Sequence, residues 1–405
     1  MTVLDELIQE LCPDGVKYKA LGEICKLVTG ATPSKTNAAY WENGTIPWMS
    51  SGEVNLKRVA ATEKKITQLG YEKNSTTIVP KHSVVIALAG QGKTRGKAAI
   101  TEIELCTNQS LCSMICNENL DYKFLYYILD GKYEELRAIS NGDGTRGGLS
   151  LKILAPYKIP VPPLPVQREI VRILDNFTEL TAELTAELTA RKKQYAYYRD
   201  KLLSTNNSSV PVVELRDIVK KSCSGATPAK GNAEYYENGT IPWIRTQDVR
   251  FNEITEVNSY ITEKAVSETA TKWIPENCVI VAISGATAGR CAINKIKATT
   301  NQHCLNLIID DSMALYRYVF HCLCSKYEEL ISRKQGARGD LNSSLILSLP
   351  IPIPSLEVQK RLVKVLDNFD AICSDLKIGL PAEIEARQKQ YEYYRDKLLT
   401  FTPAD

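Results

Sequence analysis

Arg245, Thr246, Gln247 and Arg250 follow closely on a Pro-Trp pair, and Lys93, Thr94, Arg95 and Lys97 crowd one short segment, AGQGKTRGK, behind an apolar run. Guanidinium, ammonium, hydroxyl and amide groups at this spacing are suited to phosphates and to the donor and acceptor edges of bases. The stretch ALAGQGKT also fits a relaxed phosphate-loop pattern, which would make Lys93 a nucleotide ligand. Such a loop opens a helix whose amides converge on the phosphate, whereas RGKAAITEIEL reads as another strand. The matching later segment, ISGATAGRCAI, carries Thr287 and Arg290 but lacks the lysine. A basic loop on a strand pair is the better reading; a solvated turn is the plain alternative, and a nucleotide-dependent enzyme using Lys93 the runner-up.

Two glycine-flanked segments extend this set. SNGDGTRGGLS offers Asn141, Thr145, Arg146 and Ser150, and KQGARGDLNSS offers Arg338, Asn342 and Ser343. Lys35 and Lys230 stand at equal places in two copies of one motif. Each of these segments reads equally well as a mere connection.

Catalysis finds little support. Three histidines form no HExxH pattern, and neither a glycine-rich methyl-donor site nor an NPPF or DPPY motif is present. The twelve cysteines form no CxxC pair, so free thiols used as small buried apolar groups in a reducing compartment are expected, with no metal site. A net charge of +3 implies no particular partner by itself. The N-terminus is acidic where a signal peptide would be basic, and no apolar run of about 18 residues occurs. A cytoplasmic protein without a membrane span is expected.

The elements that must position these residues come in duplicate. GATPSKTNAAYWENGTIPW at 30–48 recurs as GATPAKGNAEYYENGTIPW at 225–243, with fifteen of nineteen positions identical. In the same order NQS recurs as NQH, KYEEL as KYEEL, PLPVQREIVRILDNF as PSLEVQKRLVKVLDNF, and RKKQYAYYRDKLL as RQKQYEYYRDKLL. Between these blocks the copies diverge. Runs such as SVVIALA and CVIVAIS predict strands, and YKFLYYILDGKYEELRAI and ALYRYVFHCLCSKYEELI predict helix, so each copy is an α+β domain. Trp48 and Trp243, kept in both copies, are expected in the core.

Each domain leads into a helix. Val166, Ile170, Ile173, Phe177, Leu180, Leu184, Leu188, Tyr195, Tyr198 and Leu202 follow a three-and-four spacing, which predicts a helix of about 55 Å from Val166 to Leu203. Its centre is a tandem tetrad, TELTAELTAELTA, whose steps of four depart from a heptad. A good helix former is the bland reading; a length-setting spacer is the sharper one. The second helical stretch repeats the seam but contains Gly379-Leu380-Pro381, where a kink or break is expected. The simplest partner for each helix is the other one. The expected organisation is domain 1–160, helix 161–204, domain 205–350 and helix 351–405. The helices would pack as an antiparallel coiled coil around an internal pseudo-twofold. Tyr195, Tyr198, Tyr391 and Tyr394 are expected at a packing or partner interface.

The tandem units, PLPVQREIVRILDNF, the TAEL tetrads and the paired KQYxYYRDKLL segments resemble the specificity subunits of type I restriction-modification systems, over essentially the whole chain. That resemblance implies two target recognition domains, each reading one half of an asymmetric bipartite DNA sequence, with the helices setting the gap. It implies a non-catalytic subunit without a cofactor of its own. Its partners would be double-stranded DNA, two adenine methyltransferase subunits using S-adenosylmethionine, and motor-nuclease restriction subunits using ATP and Mg. The DNA-binding residues would be drawn from Lys35, Lys93, Thr94, Arg95, Lys97, Thr145, Arg146, Lys230, Arg245, Thr246, Gln247, Arg250, Thr287, Arg290, Arg338, Asn342 and Ser343.

Overall fold

The computed structural model describes residues 2–90, 94–140, 148–204, 209–333, 340–375 and 377–404. The chain forms two compact units, Met1–Leu184 with Ile384–Asp405, and Thr185–Glu383.

In the first unit a five-stranded sheet has the order Cys25–Thr29, Leu111–Cys116, Val84–Ala87, Ala98–Thr101 and Arg58–Val59. A second sheet orders Lys64–Ile66, Ile46–Met49, Leu105–Thr107 and Ile78–Val79. Val84–Ala87 is buried on both faces, which is why the run SVVIALA reads as continuously apolar rather than alternating. Helix Tyr122–Gly131 begins where Asp121 caps the amides of Lys123 and Phe124, and it buries Phe124 to Leu129 in the main core. The second unit repeats this plan: Val219–Ser224, Cys304–Ile309, Val279–Ala282, Cys291–Asn294 and Glu253–Ile254 form one sheet. Tyr260–Ile261, Ile241–Ile244, Ala298–Thr300 and Trp273–Ile274 form the other.

The repeated motifs are the joints of this scaffold. A Cβ on Gly30 would lie 1.7 Å from the Thr107 carbonyl oxygen, and one on Gly225 would lie 1.8 Å from that of Thr300, so only glycine fits either place. Trp48 Nε1 donates to the Ala31 carbonyl at 2.9 Å and Trp243 Nε1 to Ala226 at 3.2 Å; both rings are buried, as expected. The glutamine of the VQ motif is a buried bracket. Gln167 accepts from the Asp121 amide at 2.8 Å and donates to the carbonyls of Asn119 and Pro162. Gln359 makes the same set with Leu315, Met313 and Pro354.

The central helix runs continuously over Leu164–Leu202. Its buried residues are Val166, Gln167, Ile170, Val171 and Leu174, all ahead of the tetrads. In the tetrads Leu180 is exposed, Leu184 and Leu188 are half-buried, and Thr181 and Thr189 hydrogen-bond back to carbonyls four residues earlier. The boundary between the units falls inside this array. The later stretch forms two helices, Leu356–Ser374 and Leu380–Leu398, with Pro381 in the first turn of the second, so the expected break is present.

Each unit is completed by a helix end from the other sequence copy. In the first, Phe177 stacks on Tyr394 at 5.4 Å, and Pro403 bridges to Val16. In the second, Tyr198 stacks on Phe369 at 6.2 Å. Tyr391 is buried, 5% exposed, among Tyr126 and Tyr127, and Tyr195 packs beside His321. Of the two readings of the tyrosines, internal packing is what Tyr195 and Tyr391 display, while Tyr197 and Tyr393 are the most exposed, at 60% and 63%, and Tyr198 and Tyr394 stack on a phenylalanine yet keep an exposed face.

Behind these rings lie matching acid clusters. Asp175 accepts from Lys123 Nζ at 2.6 Å and Tyr127 Oη at 2.5 Å. Asp367 accepts from Arg317 Nε at 2.5 Å and His321 Nε2 at 2.7 Å. Burial works to raise the Asp367 carboxyl, but the hydrogen bonds from His321 and Arg317 outweigh it and hold the group below its ordinary value.

All twelve cysteines are free and ten are buried, most of them pushed up by desolvation. Among the described residues no helix is long and apolar enough to cross a membrane.

Candidate nucleic-acid interface

One backbone node gathers the segments that carry the polar side chains. In the first unit Leu88 donates to the Ser110 carbonyl at 2.8 Å, and its own carbonyl accepts from Leu149 at 2.8 Å. Gly96 returns to Ala87 at 2.9 Å and Asn108 bonds Met49 at 3.1 Å. In the second unit Ile283 bonds His303 at 2.9 Å, Leu341 bonds Ile283 at 2.7 Å, Gly289 returns to Ala282 at 2.8 Å and Asn301 bonds Ile244 at 3.0 Å. Phe251 further joins Cys291 at 2.8 Å, which sets Arg250 beside Arg290 along the backbone. The hairpin after the central strand, the NQ turn, the segment after Ile-Pro-Trp and the stretch from Leu149 or Leu341 thus share one edge in each unit.

Lys97 and Arg290 are equivalents. Each follows a glycine with positive φ, Gly96 at 85° and Gly289 at 91°, and each amide donates to the carbonyl of the matching threonine, Thr94 at 2.9 Å or Thr287 at 3.0 Å. Lys97 Nζ also donates to Asn55 Oδ1 at 2.9 Å, which ties the hairpin to the segment after Met49. Arg245 lies 5.8 Å over the Trp243 ring with its Nε buried and without a partner, and the Nε of Arg290 is in the same state. Arg250 is exposed and its Nε donates to the Gln247 carbonyl at 2.6 Å. Thr246 is half-buried and Gln247 exposed. None of these three arginines takes a carboxylate partner among the described residues, so their charge is left for an external anion or acceptor.

Two expected readers are placed differently. Arg95 is only 8% exposed, its Nε has no partner, and the equivalent position is Ala288, fully buried. It points into the domain rather than standing on the loop surface. Asn342 spends its Oδ1 on the Leu345 amide at 2.8 Å as the cap of helix Ser343–Leu347. Its amide nitrogen remains, and Ser343 is the first residue of that helix. Lys35 and Lys230 are exposed, in the loop that Thr32 pins to Gln109 at 2.5 Å and Thr227 pins to Gln302. Lys93, Thr145, Arg146 and Arg338, and with them Asn141, lie outside the described residues.

The glutamines themselves went unselected in the sequence. Gln109 and Gln302 are exposed on the shared edge, beside Ser110 in one unit and His303 in the other. The recurrence of NQS as NQH was their signal, visible as alignment but not as chemistry.

The comparisons fit this duplicated plan. The model of the type I restriction modification DNA specificity domain matches twice, over residues 13–191 and 207–386. The chain is 33% identical over 415 residues to the specificity subunit of the type I restriction enzyme EcoR124I/EcoR124II of Escherichia coli, covering 99% of this chain and 97% of that one. A chain from a structure of a type I restriction-modification system superposes with a TM-score of 0.69 at 17% identity, covering 96% and 98%. The S subunit from M. genitalium does so with a TM-score of 0.55 at 16% identity, covering 95% and 96%. With the domain matched twice, the scaffold motifs repeated and nearly the full length of a relative covered, the chain belongs to the family of type I restriction-modification specificity subunits and carries two recognition domains.

Proposed function

We propose that the edge gathered at Leu88 and the edge gathered at Ile283 each read one half of a bipartite DNA target, and that the target is asymmetric. One observation carries this reading: the same backbone joints present different side chains in the two units. Ser50, Ser51, Gly52, Ser110 and Lys97 on the first edge stand where the second has Arg245, Thr246, Gln247, His303 and Arg290. Arginine with a free guanidinium fork suits guanine O6 and N7, while lysine and the hydroxyls suit phosphates and mixed acceptors.

The helices set the distance between the half-sites, and the subunit acts without chemistry of its own. Its partners are two methyltransferase subunits, which bring S-adenosylmethionine, and restriction subunits, which bring ATP and Mg. The exposed Tyr197 and Tyr393, adjoining Tyr198 and Tyr394, supply aromatic surface for them. All of this takes place in the cytoplasm.

The test is a set of alanine variants at Arg245, Arg250 and Arg290 in the assembled methylating complex. Loss or relaxation confined to one half of the methylated sequence is expected, by about 1–3 kcal/mol of discrimination per lost bidentate contact. An equal effect on both halves would remove the assignment of one edge to one half-site.

A further inference from the structure

In the first unit Lys35, Lys64 and Lys65 line a cleft of about 440 Å³ whose other walls are Trp41 and Glu63. All three lysines are exposed, and none is ion-paired among the described residues. Trp41 is held rigidly there: its Nε1 donates to the Ser34 carbonyl at 3.0 Å and its ring stands edge-on to Trp48 at 5.1 Å. Lys64 and Lys65 are fixed by strand pairing opposite Trp48 and Pro47. The cleft therefore has positions set by a sheet and a hydrogen-bonded, half-buried aromatic, and a charge of three ammonium groups against one carboxylate.

The second unit lacks this charge. Its strand register places Tyr260 opposite Pro242, and the Trp243 amide bonds the Ser259 carbonyl, so Ser259 and Tyr260 stand where Lys64 and Lys65 do. Tyr236 replaces Trp41, and only Lys230 is retained.

The cleft flanks the reading edge. Lys35 is three residues from Thr32, at most about 11 Å along the chain, and Thr32 is bonded to Gln109 on that edge. We infer that this cleft grips the sugar-phosphate backbone of duplex DNA just outside the half-site read by the first unit, a contact the second unit does not make. The inference rests on the DNA-reading function proposed above. Lysine as a hydrated point charge suits phosphate rather than base edges, so the contact adds affinity without adding sequence.

The test measures dissociation constants of the methyltransferase-bound complex for a duplex containing the methylated target and for an unrelated duplex, across a salt series. Replacing K35Q, K64Q and K65Q together is expected to flatten the slope of log affinity against log salt by about 2–3. Both duplexes should be weakened alike, on the order of tenfold or more at 0.1 M salt, with the methylated sequence unchanged. E63Q should tighten both duplexes, and S259K with Y260K should steepen the slope by about 1–2. An unchanged slope in the triple variant overturns the inference, as does a changed methylated sequence, which would make the cleft a base reader. Wild-type complex that binds no duplex at all would instead overturn the DNA-reading function beneath it.

Discussion

Phe177 and Tyr394 lie ring on ring, 5.4 Å apart and inclined by 21°, although 217 positions separate them in the sequence. Tyr198 and Phe369 repeat the pair in the second unit at 6.2 Å and 26°. Phe177 and Phe369 end the two LDNF motifs, and Tyr198 and Tyr394 belong to the two YYRDKLL motifs. Each sequence copy thus supplies the phenylalanine of one unit and the tyrosine of the other.

Breaking either pair should loosen a helix end rather than unfold a domain. Tyr394→Ala is expected to destabilise the first unit by about 1–2 kcal/mol, and Tyr198→Ala the second by a similar amount. Hydrogen exchange should locate the new openings in residues 384–398 for one and 185–202 for the other; protection unchanged in both helices would contradict the assignment.

The glutamine brackets should be costlier. Gln167 and Gln359 are fully buried and each satisfies three backbone groups. Substitution by leucine keeps the bulk but leaves those groups without partners, so a loss of roughly 2–4 kcal/mol is expected in denaturant unfolding. A loss below about 0.5 kcal/mol would show the bracket to be incidental.

Asp367 gives a pH signature. Its folded carboxyl titrates below the ordinary value of 3.8, chiefly through His321 and Arg317 acting against burial. The folded value lies under the unfolded one, so its contribution is complete above the unfolded value and fades as pH falls through the folded one. The stability difference between wild type and Asp367→Asn should be level at neutral pH and shrink in acid below about pH 4. A difference that grows in acid would reverse the sign.

The tetrads yield a geometric prediction. Inserting one TAEL unit after Leu188 extends a solvent-facing helix by about 6 Å, equivalent to one or two base pairs at roughly 3.4 Å each. The gap between half-sites should lengthen while both half-sites stay the same. An unchanged gap in the methylated sequence would sink the spacer reading.

Much of this architecture was legible beforehand because duplication and periodicity are local signals. The strand at Val84–Ala87, the helix from Leu164 and the helix break just ahead of Leu380 and Pro381 all follow from runs of residue types. The destinations of side chains were harder to read. Arg95 sits in a basic loop yet turns inward, and Asn342 sits in a polar loop yet caps a helix, because neighbouring backbone groups compete for both. The tyrosine seam announced a partner, but spacing cannot tell an external partner from a helix end of the other copy. Gln109 and Gln302 belong to a repeated block whose sequence does not disclose their place; the hydrogen bonds from Thr32 and Thr227 tie them to the loops of Lys35 and Lys230.

The central claim is that two similar edges with different side chains read two different half-sites. Sequencing of methylated bases in cells carrying this subunit with its methyltransferase partner tests it most directly. The account predicts a split, asymmetric sequence with two unlike halves around a fixed gap; a palindromic or undivided sequence would contradict it.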